Sequence, residues 1–255
     1  MYAIFKREFL SYFRSPVGYI AIALFSFLSG LQFIQLFSNG SGNIAEEIIS
    51  LRSYFVVIVP IITMGLFAED RKRGTEVLFY TSPIDIGNVV FGKFLSAFLL
   101  YAIMFFNVVI HIIVIVACGG DVGVEAIGAL IVFFFLASLF ISLGIFASAI
   151  TDSQIISAIV TFIMILAIQM ISSIAELLSD VTNSVLQAVG VSPYYASVIS
   201  NGIDGIINWF DPFAKTDCFL YGIFSVMPLF FCVSLALVFL YLTFRILEKK
   251  RWSQK

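Results

Sequence analysis

The sequence predicts an all-α membrane protein with six transmembrane helices, and three observations predict it. Of 255 residues, 61% are hydrophobic and only 12% are charged, about half the charged share of a soluble domain. Six stretches free of Asp, Glu, Lys and Arg approach the length of about 20 residues that a bilayer core demands. None alternates with period two, so a barrel is excluded, and each stretch must satisfy its own backbone as a helix. The 29 phenylalanines suit helix packing in lipid.

The stretches are 17–37, 53–68, 94–118, 126–151, 153–175 and 218–244. The second is short, and its flanking Arg52 and Glu69 can snorkel to the interfaces. The whole chain reads as a single transmembrane domain, 1–255. No cleaved signal peptide is expected, because the first apolar run is long and lacks a small-residue cleavage site.

Basic residues set the orientation. With the N-terminus inside, Lys6, Arg7, Arg14, Arg71, Lys72, Arg73, Lys93, Arg245, Lys249, Lys250, Arg251 and Lys255 are cytoplasmic. Only Arg52 and Lys215, of 14 basic residues, lie outside. Both termini are therefore expected in the cytoplasm of a plasma or inner membrane. The net charge of −2 gives no basis for a nucleic-acid partner.

Residues 1–15 read as an interfacial helix, with Ile4, Phe5, Phe9, Tyr12 and Phe13 on one face and Lys6, Arg7 and Arg14 toward headgroups. The longest inner loop, 69–93, carries helix punctuation: Gly74 can stop one helix. Ser82-Pro83-Ile84-Asp85 can start another. Thr151-Asp152-Ser153-Gln154 makes a tight inner turn. The outer segment 176–217 is expected to hold short helices, one starting at Ser192-Pro193, with Trp209 and Phe210 as interface anchors. No internal repeat or low-complexity tract is present.

Several tempting motifs fail. Gly87 to Phe94 nearly matches a phosphate-binding loop, but Phe94 stands where a magnesium-binding hydroxyl is needed. Leu28-Ser29-Gly30-Leu31-Gln32 faintly matches an ATPase signature, yet lies inside the first span. His111 has no Asp, Glu or Lys in any predicted span, so it reads as a hydrogen-bonded packing residue and not a proton relay. Cys118 and Cys218 both fall near the outer face and could pair; no C-x-x-C metal or redox site exists. Pro60 and Pro228 can kink their spans. Asn39-Gly40-Ser41 is an outer glycosylation sequon. No nucleophile–base set stands out, and the chain is read as having no cofactor, metal or catalytic residue of its own.

At the inner loop the chain resembles the ABC-2 type transporter permeases, most closely their gliding-motility and nitrous-oxide-operon subset. The likeness is carried by Phe67-Ala68-Glu69-Asp70-Arg71-Lys72-Arg73-Gly74-Thr75-Glu76-Val77-Leu78, then Thr81 and Pro83. Ala147 to Gln154, and Phe5-Lys6-Arg7-Glu8-Phe9 through Ser15-Pro16, are similar to that subset too. The resemblance implies a bacterial exporter subunit. Two permease chains, identical or paralogous, pair above two cytoplasmic ATPase subunits that hold ATP and Mg. Glu69, Arg71, Arg73, Gly74, Thr75, Glu76 and Pro83 would couple to the ATPase. Phe5, Lys6, Arg7, Phe9 and Arg14 would belong to an elbow helix. An extracytoplasmic accessory protein is a further expected partner. The rival readings are a non-transporting scaffold anchoring such a partner through 176–217, and a membrane-embedded lipid-modifying enzyme.

Overall fold

The computed structural model describes residues 1–38, 44–77, 85–120 and 122–253, and among these every regular element is a helix. Five helices are long and apolar enough to cross a membrane, or six if one bent pair counts as a span.

Helix α1 (Tyr2–Arg14) ends at Ser15, held extended at φ −109° and ψ 158°. The following proline disfavours helical geometry at Ser15 and then opens α2 (Pro16–Ser38) at its first position. Most of α2 is exposed; a thin stripe of Ala21, Phe25 and Ser29 meets the bundle.

The second span begins earlier than its charge-free stretch suggests. One apolar run, Ile44–Lys72, comprises α3 (Ile44–Leu51), a 3-10 turn (Arg52–Tyr54), α4 (Phe55–Thr63) and α5 (Ala68–Lys72). Glu46 and Glu47 interrupt the hydropathy, yet Ile44, Ala45, Glu47, Ile48 and Leu51 are all buried. Pro60 lies inside α4 as expected, whereas Pro228 is the second residue of its helix, where proline is tolerated and kinks nothing.

Helix α6 (Ile86–Ala117) has 32 residues, about 48 Å at 1.5 Å each, so it overshoots the hydrocarbon core. The Gly87 to Phe94 stretch is helical within it. Helix α7 (Val124–Ile150) is the axis of the fold: from Leu139 to Ile145 every residue is buried, as an all-round apolar helix requires. It packs against α3, α4, α6, α8 and α12. Phe55 centres an aromatic cluster, its ring 4.9 Å from Phe133 and 5.1 Å from Phe140, with Tyr101 and Phe105 alongside. Each such pair adds about 0.5–1.5 kcal/mol beyond burial.

After the 151–153 turn come α8 (Gln154–Gln169) and α9 (Ile171–Ala188), bent by 46° at Met170. Helix α10 (Pro193–Asn208) starts at Ser192-Pro193 and folds back on α9. A short α11 (Pro212–Thr216) is capped by Asp211, whose carboxylate accepts from Phe213 N at 2.8 Å. The final stretch, expected as 218–244, opens as a 3-10 turn (Asp217–Tyr221), and its long helix α12 runs Met227–Ser253. Cys118 and Cys218 are both free thiols.

Candidate functional site

The richest polar cluster lies where α1, α5 and the start of α6 meet at one end of the bundle. It begins with a broken helix. Between α4 and α5 the chain turns at Met64–Phe67, and Leu66 N donates to Thr63 O at 3.2 Å instead of continuing the α-helical ladder. That leaves Ile62 O, Phe67 N and Ala68 N without helical partners. Tyr12 of α1 supplies the first, its hydroxyl donating to Ile62 O at 2.7 Å. Ser148 of α7 supplies the others: its Oγ accepts from Phe67 N at 3.0 Å and Ala68 N at 3.2 Å, and donates to Met64 O at 3.2 Å. These three groups are thus all paired, as buried backbone demands. Gly144 lets α7 approach: a Cβ there would lie 2.3 Å from Thr63 Oγ1.

Lys93 fills the space below the break and is wholly buried. Its ammonium donates to Leu66 O, to Asp70 Oδ2 at 2.5 Å and to Glu8 Oε1 at 3.0 Å. It also sits 5.0 Å from the centre of the Phe67 ring. One cation therefore ties α1, the broken span and α6 together. Arg7 adds to it through Glu8, with Asp70 at 3.6 Å. Partial burial opposes the charge on Arg7, but the hydrogen bond and charge of Glu8, with Asp70, outweigh it and hold its proton more firmly than usual.

Arg71 makes a second junction. Its guanidinium donates to Thr151 O and Asp152 Oδ1, both at 2.6 Å, to Ala149 O at 2.9 Å, and to Glu76 Oε2 at 3.0 Å. Lys250, near the end of α12, also donates to Ala149 O, at 3.2 Å. The α5 helix closes with Gly74 at φ +71° and Thr75 N donating back to Asp70 O at 2.9 Å, a Schellman-type stop.

The expected coupling residues divide accordingly. Arg71 and Glu76 face inward and bond to each other, so they are not free charges for another protein. Glu69 pairs with Arg73 one turn on. Thr75 Oγ1 donates to Asp70 Oδ1 at 2.8 Å. Lys72, Arg73, Gly74 and Val77 form the exposed crest. Pro83, with Ser82 and Ile84, lies outside the described residues, as does the Asn39-Gly40-Ser41 sequon; α6 is preceded by an extended Asp85. On α1, Phe5, Phe9 and Phe13 form a half-buried aromatic row, the first pair stacked and the second edge-on, while Lys6, Arg7 and Arg14 are exposed. The face packed on the bundle is instead Ile4, Glu8 and Tyr12. Sequence reasoning meets Glu8, Tyr12, Asp70 and Ser148 only within longer stretches and gives none of them a role in this cluster, although the acids at 8 and 70 lie among the basic residues that orient the chain.

A second polar cluster gives His111 the hydrogen bond expected of a packing residue, and corrects the premise that no carboxylate lies within a span. Its Nδ1 lies 2.6 Å from Glu47 Oε1, with Ser29 Oγ donating to the same oxygen at 3.2 Å. The Phe33 ring stacks on the imidazole at 4.3 Å. The sequence hides this carboxylate partner, because the second charge-free stretch begins at Ser53, after Glu47.

The family model described as ABC-2 family transporter protein matches residues 2–252. The chain belongs to the ABC-2 transporter family. No curated protein matches it. This ABC-2 chain is accordingly a multi-pass permease subunit of an ABC transporter, a membrane component of the machine.

Proposed function

We infer that this ABC-2 permease is an exporter half whose α1/α5 end is cytoplasmic and receives the stroke of a separate ATPase. The observation that carries the reading is the pair of junctions at Lys93 and Arg71. A narrow exposed crest of Lys72, Arg73, Gly74 and Val77 is braced to the elbow helix, to α6, to the α7–α8 turn and, through Ala149 O, to α12. A push on that crest would move several spans as one body instead of bending a loop, the behaviour a hinge-and-shear device needs. The 12-to-2 bias of basic residues supports the orientation. Two ATPase subunits, holding ATP and Mg, and a second permease chain complete the assembly.

The test is co-purification with the co-expressed ATPase subunit. Lys72→Glu with Arg73→Glu is expected to release the ATPase while the permease stays monodisperse. Full retention of the ATPase would overturn the docking assignment. Cysteine labelling at position 72 from the outer side of intact cells would overturn the orientation.

The scaffold alternative draws on one feature. The α9–α10 hairpin turns Ala175, Ala196 and Ser200 inward and leaves Leu177, Val181, Val185 and Tyr194 exposed. ATP-dependent cargo movement in vesicles holding the complex separates the two readings, since a scaffold would move none.

A further inference from the structure

Two cavities lie one above the other in the groove between α6 and α12, away from the junctions just described. The deeper, of about 270 Å³, is almost wholly apolar: Phe91, Phe94 and Phe98 of α6 face Leu237 and Leu240 of α12, with Phe134 of α7 forming the floor. The other, of about 290 Å³, has a mixed polar and apolar lining and lies at the helix ends, formed by Asp85, Ile86, Phe244, Glu248, Arg251 and Trp252. Ile86 and Phe91 are five residues apart on one helix, and Leu240 and Phe244 four apart on the other. The cavities are therefore separated by about one turn, roughly 6–8 Å. An apolar slot with a charged mouth one turn away has the proportions of a single phospholipid.

The mouth also selects a headgroup. Asp85 is the N-cap of α6 but makes no side-chain capping bond, so its carboxylate does not satisfy its own helix. Glu248 accepts from Arg245 Nη1 at 2.8 Å. Arg251 supplies a half-buried guanidinium, and Trp252 is a large exposed indole of the kind that sits at headgroup level. Counting Asp85, Glu248, Arg245 and Arg251 together, the rim is neutral with both signs present. An anionic headgroup would set its net charge against Asp85. A zwitterion can place phosphate on Arg251 and its amine on the carboxylates.

We propose that the α6–α12 groove is a binding site for one phosphatidylethanolamine molecule from the adjacent leaflet. An acyl chain occupies the Phe-lined slot, the phosphate meets Arg251, and the primary ammonium donates to Asp85 and Glu248. The slot alone confers no lipid preference, because a chain moving from bilayer to protein leaves one hydrocarbon for another. Preference comes from the mouth. A primary ammonium donates hydrogen bonds there; a quaternary choline cannot.

The test is native mass spectrometry of the full chain extracted in mild detergent, then incubated with equal amounts of phosphatidylethanolamine, phosphatidylcholine and phosphatidylglycerol. Wild type is expected to keep one phosphatidylethanolamine per permease, preferred about tenfold over either competitor, the factor one charge-assisted hydrogen bond confers. Asp85→Asn should bring the three lipids to near parity. Leu237→Trp, an enlargement of an exposed residue lining the slot, should cut retention of all three severalfold. Size exclusion checks that both variants fold. Retention in proportion to the lipid supplied, or unchanged retention in Leu237→Trp, would overturn the site. Equal retention of choline and ethanolamine lipids in wild type would overturn the headgroup assignment.

Discussion

Replacing Lys93 with methionine is the sharpest probe of the junction. The substitution keeps most of the side chain's volume and removes only the ammonium. Among the described residues Glu8 then keeps only its bond to Arg7, and Asp70 keeps Thr75 Oγ1 at 2.8 Å and a more distant Arg7 at 3.6 Å. Leu66 O also loses its donor. Removing one partner of a buried ion pair typically costs about 3–5 kcal/mol, because the surviving charge stays buried. For a chain of this length that is on the order of 10 °C in thermal midpoint. The assay is thermal unfolding in detergent followed by intrinsic fluorescence, with ATP-driven transport in vesicles as a second readout. A compensating variant gives the argument its edge. Adding Glu8→Gln and Asp70→Asn to Lys93→Met removes the stranded charges, and most of the lost stability should return, since an uncharged core of similar volume is often as stable as the ion pair it replaces. Transport should remain impaired, because the elbow would no longer be tied to α6. A single Lys93→Met variant that unfolds like wild type would refute the reasoning.

Ser148→Ala should strand the Phe67 and Ala68 amides and cost about 1–3 kcal/mol, seen as faster hydrogen exchange confined to the break. Gly144→Ala should cost about 1–3 kcal/mol by overpacking. Thr63→Ala should recover only part of it, because Thr63 Cβ would still sit 2.8 Å from the new methyl. Arg71→Gln should leave the ATPase bound yet weaken the dependence of ATP hydrolysis on transport, whereas the Lys72 and Arg73 reversals should lose the ATPase itself. Equal loss of binding in both would merge the two roles. Glu47→Ala should leave His111 and Ser29 without their shared acceptor and lower the thermal midpoint, and Glu47→Gln should be milder because an amide oxygen still accepts.

Hydropathy made the helices legible because lipid imposes a rule on every residue of a span. It failed where a polar residue is matched by a distant one. Arg52 bounds the second charge-free stretch and leaves Glu47 outside it, but the partners of Glu47, Ser29 and His111, lie on two other helices. Lys93 entered the reading only as one of the basic residues that orient the chain, because Glu8 and Asp70 are 85 and 23 positions away. The bend at Met170 carries no proline or glycine. Gln169, the polar residue beside it, donates to Arg52 O and Ser53 O at 3.3 and 3.2 Å, a contact no local pattern announces. The Gly74 stop, by contrast, is local and was readable.

The division of labour among the charges follows from the same physics. An exposed ion pair transmits little, since water screens it and its side chains are free to swing. The charges at this end are instead graded by burial. Lys93 is fully enclosed, Arg71 and Glu76 have side chains only 15% and 13% exposed, and Arg73 is 70% exposed. The inner members have fixed geometry and can carry displacement between helices. The outermost member keeps the solvation and reach that docking requires. The resemblance groups Arg71, Arg73 and Glu76 in one coupling motif, but burial places Arg73 on a contact surface and Arg71 and Glu76, with Lys93, in the linkage behind it. Substitutions at Arg73 and at Lys93 should therefore differ in kind: the first changes whether a partner binds, the second what its binding does.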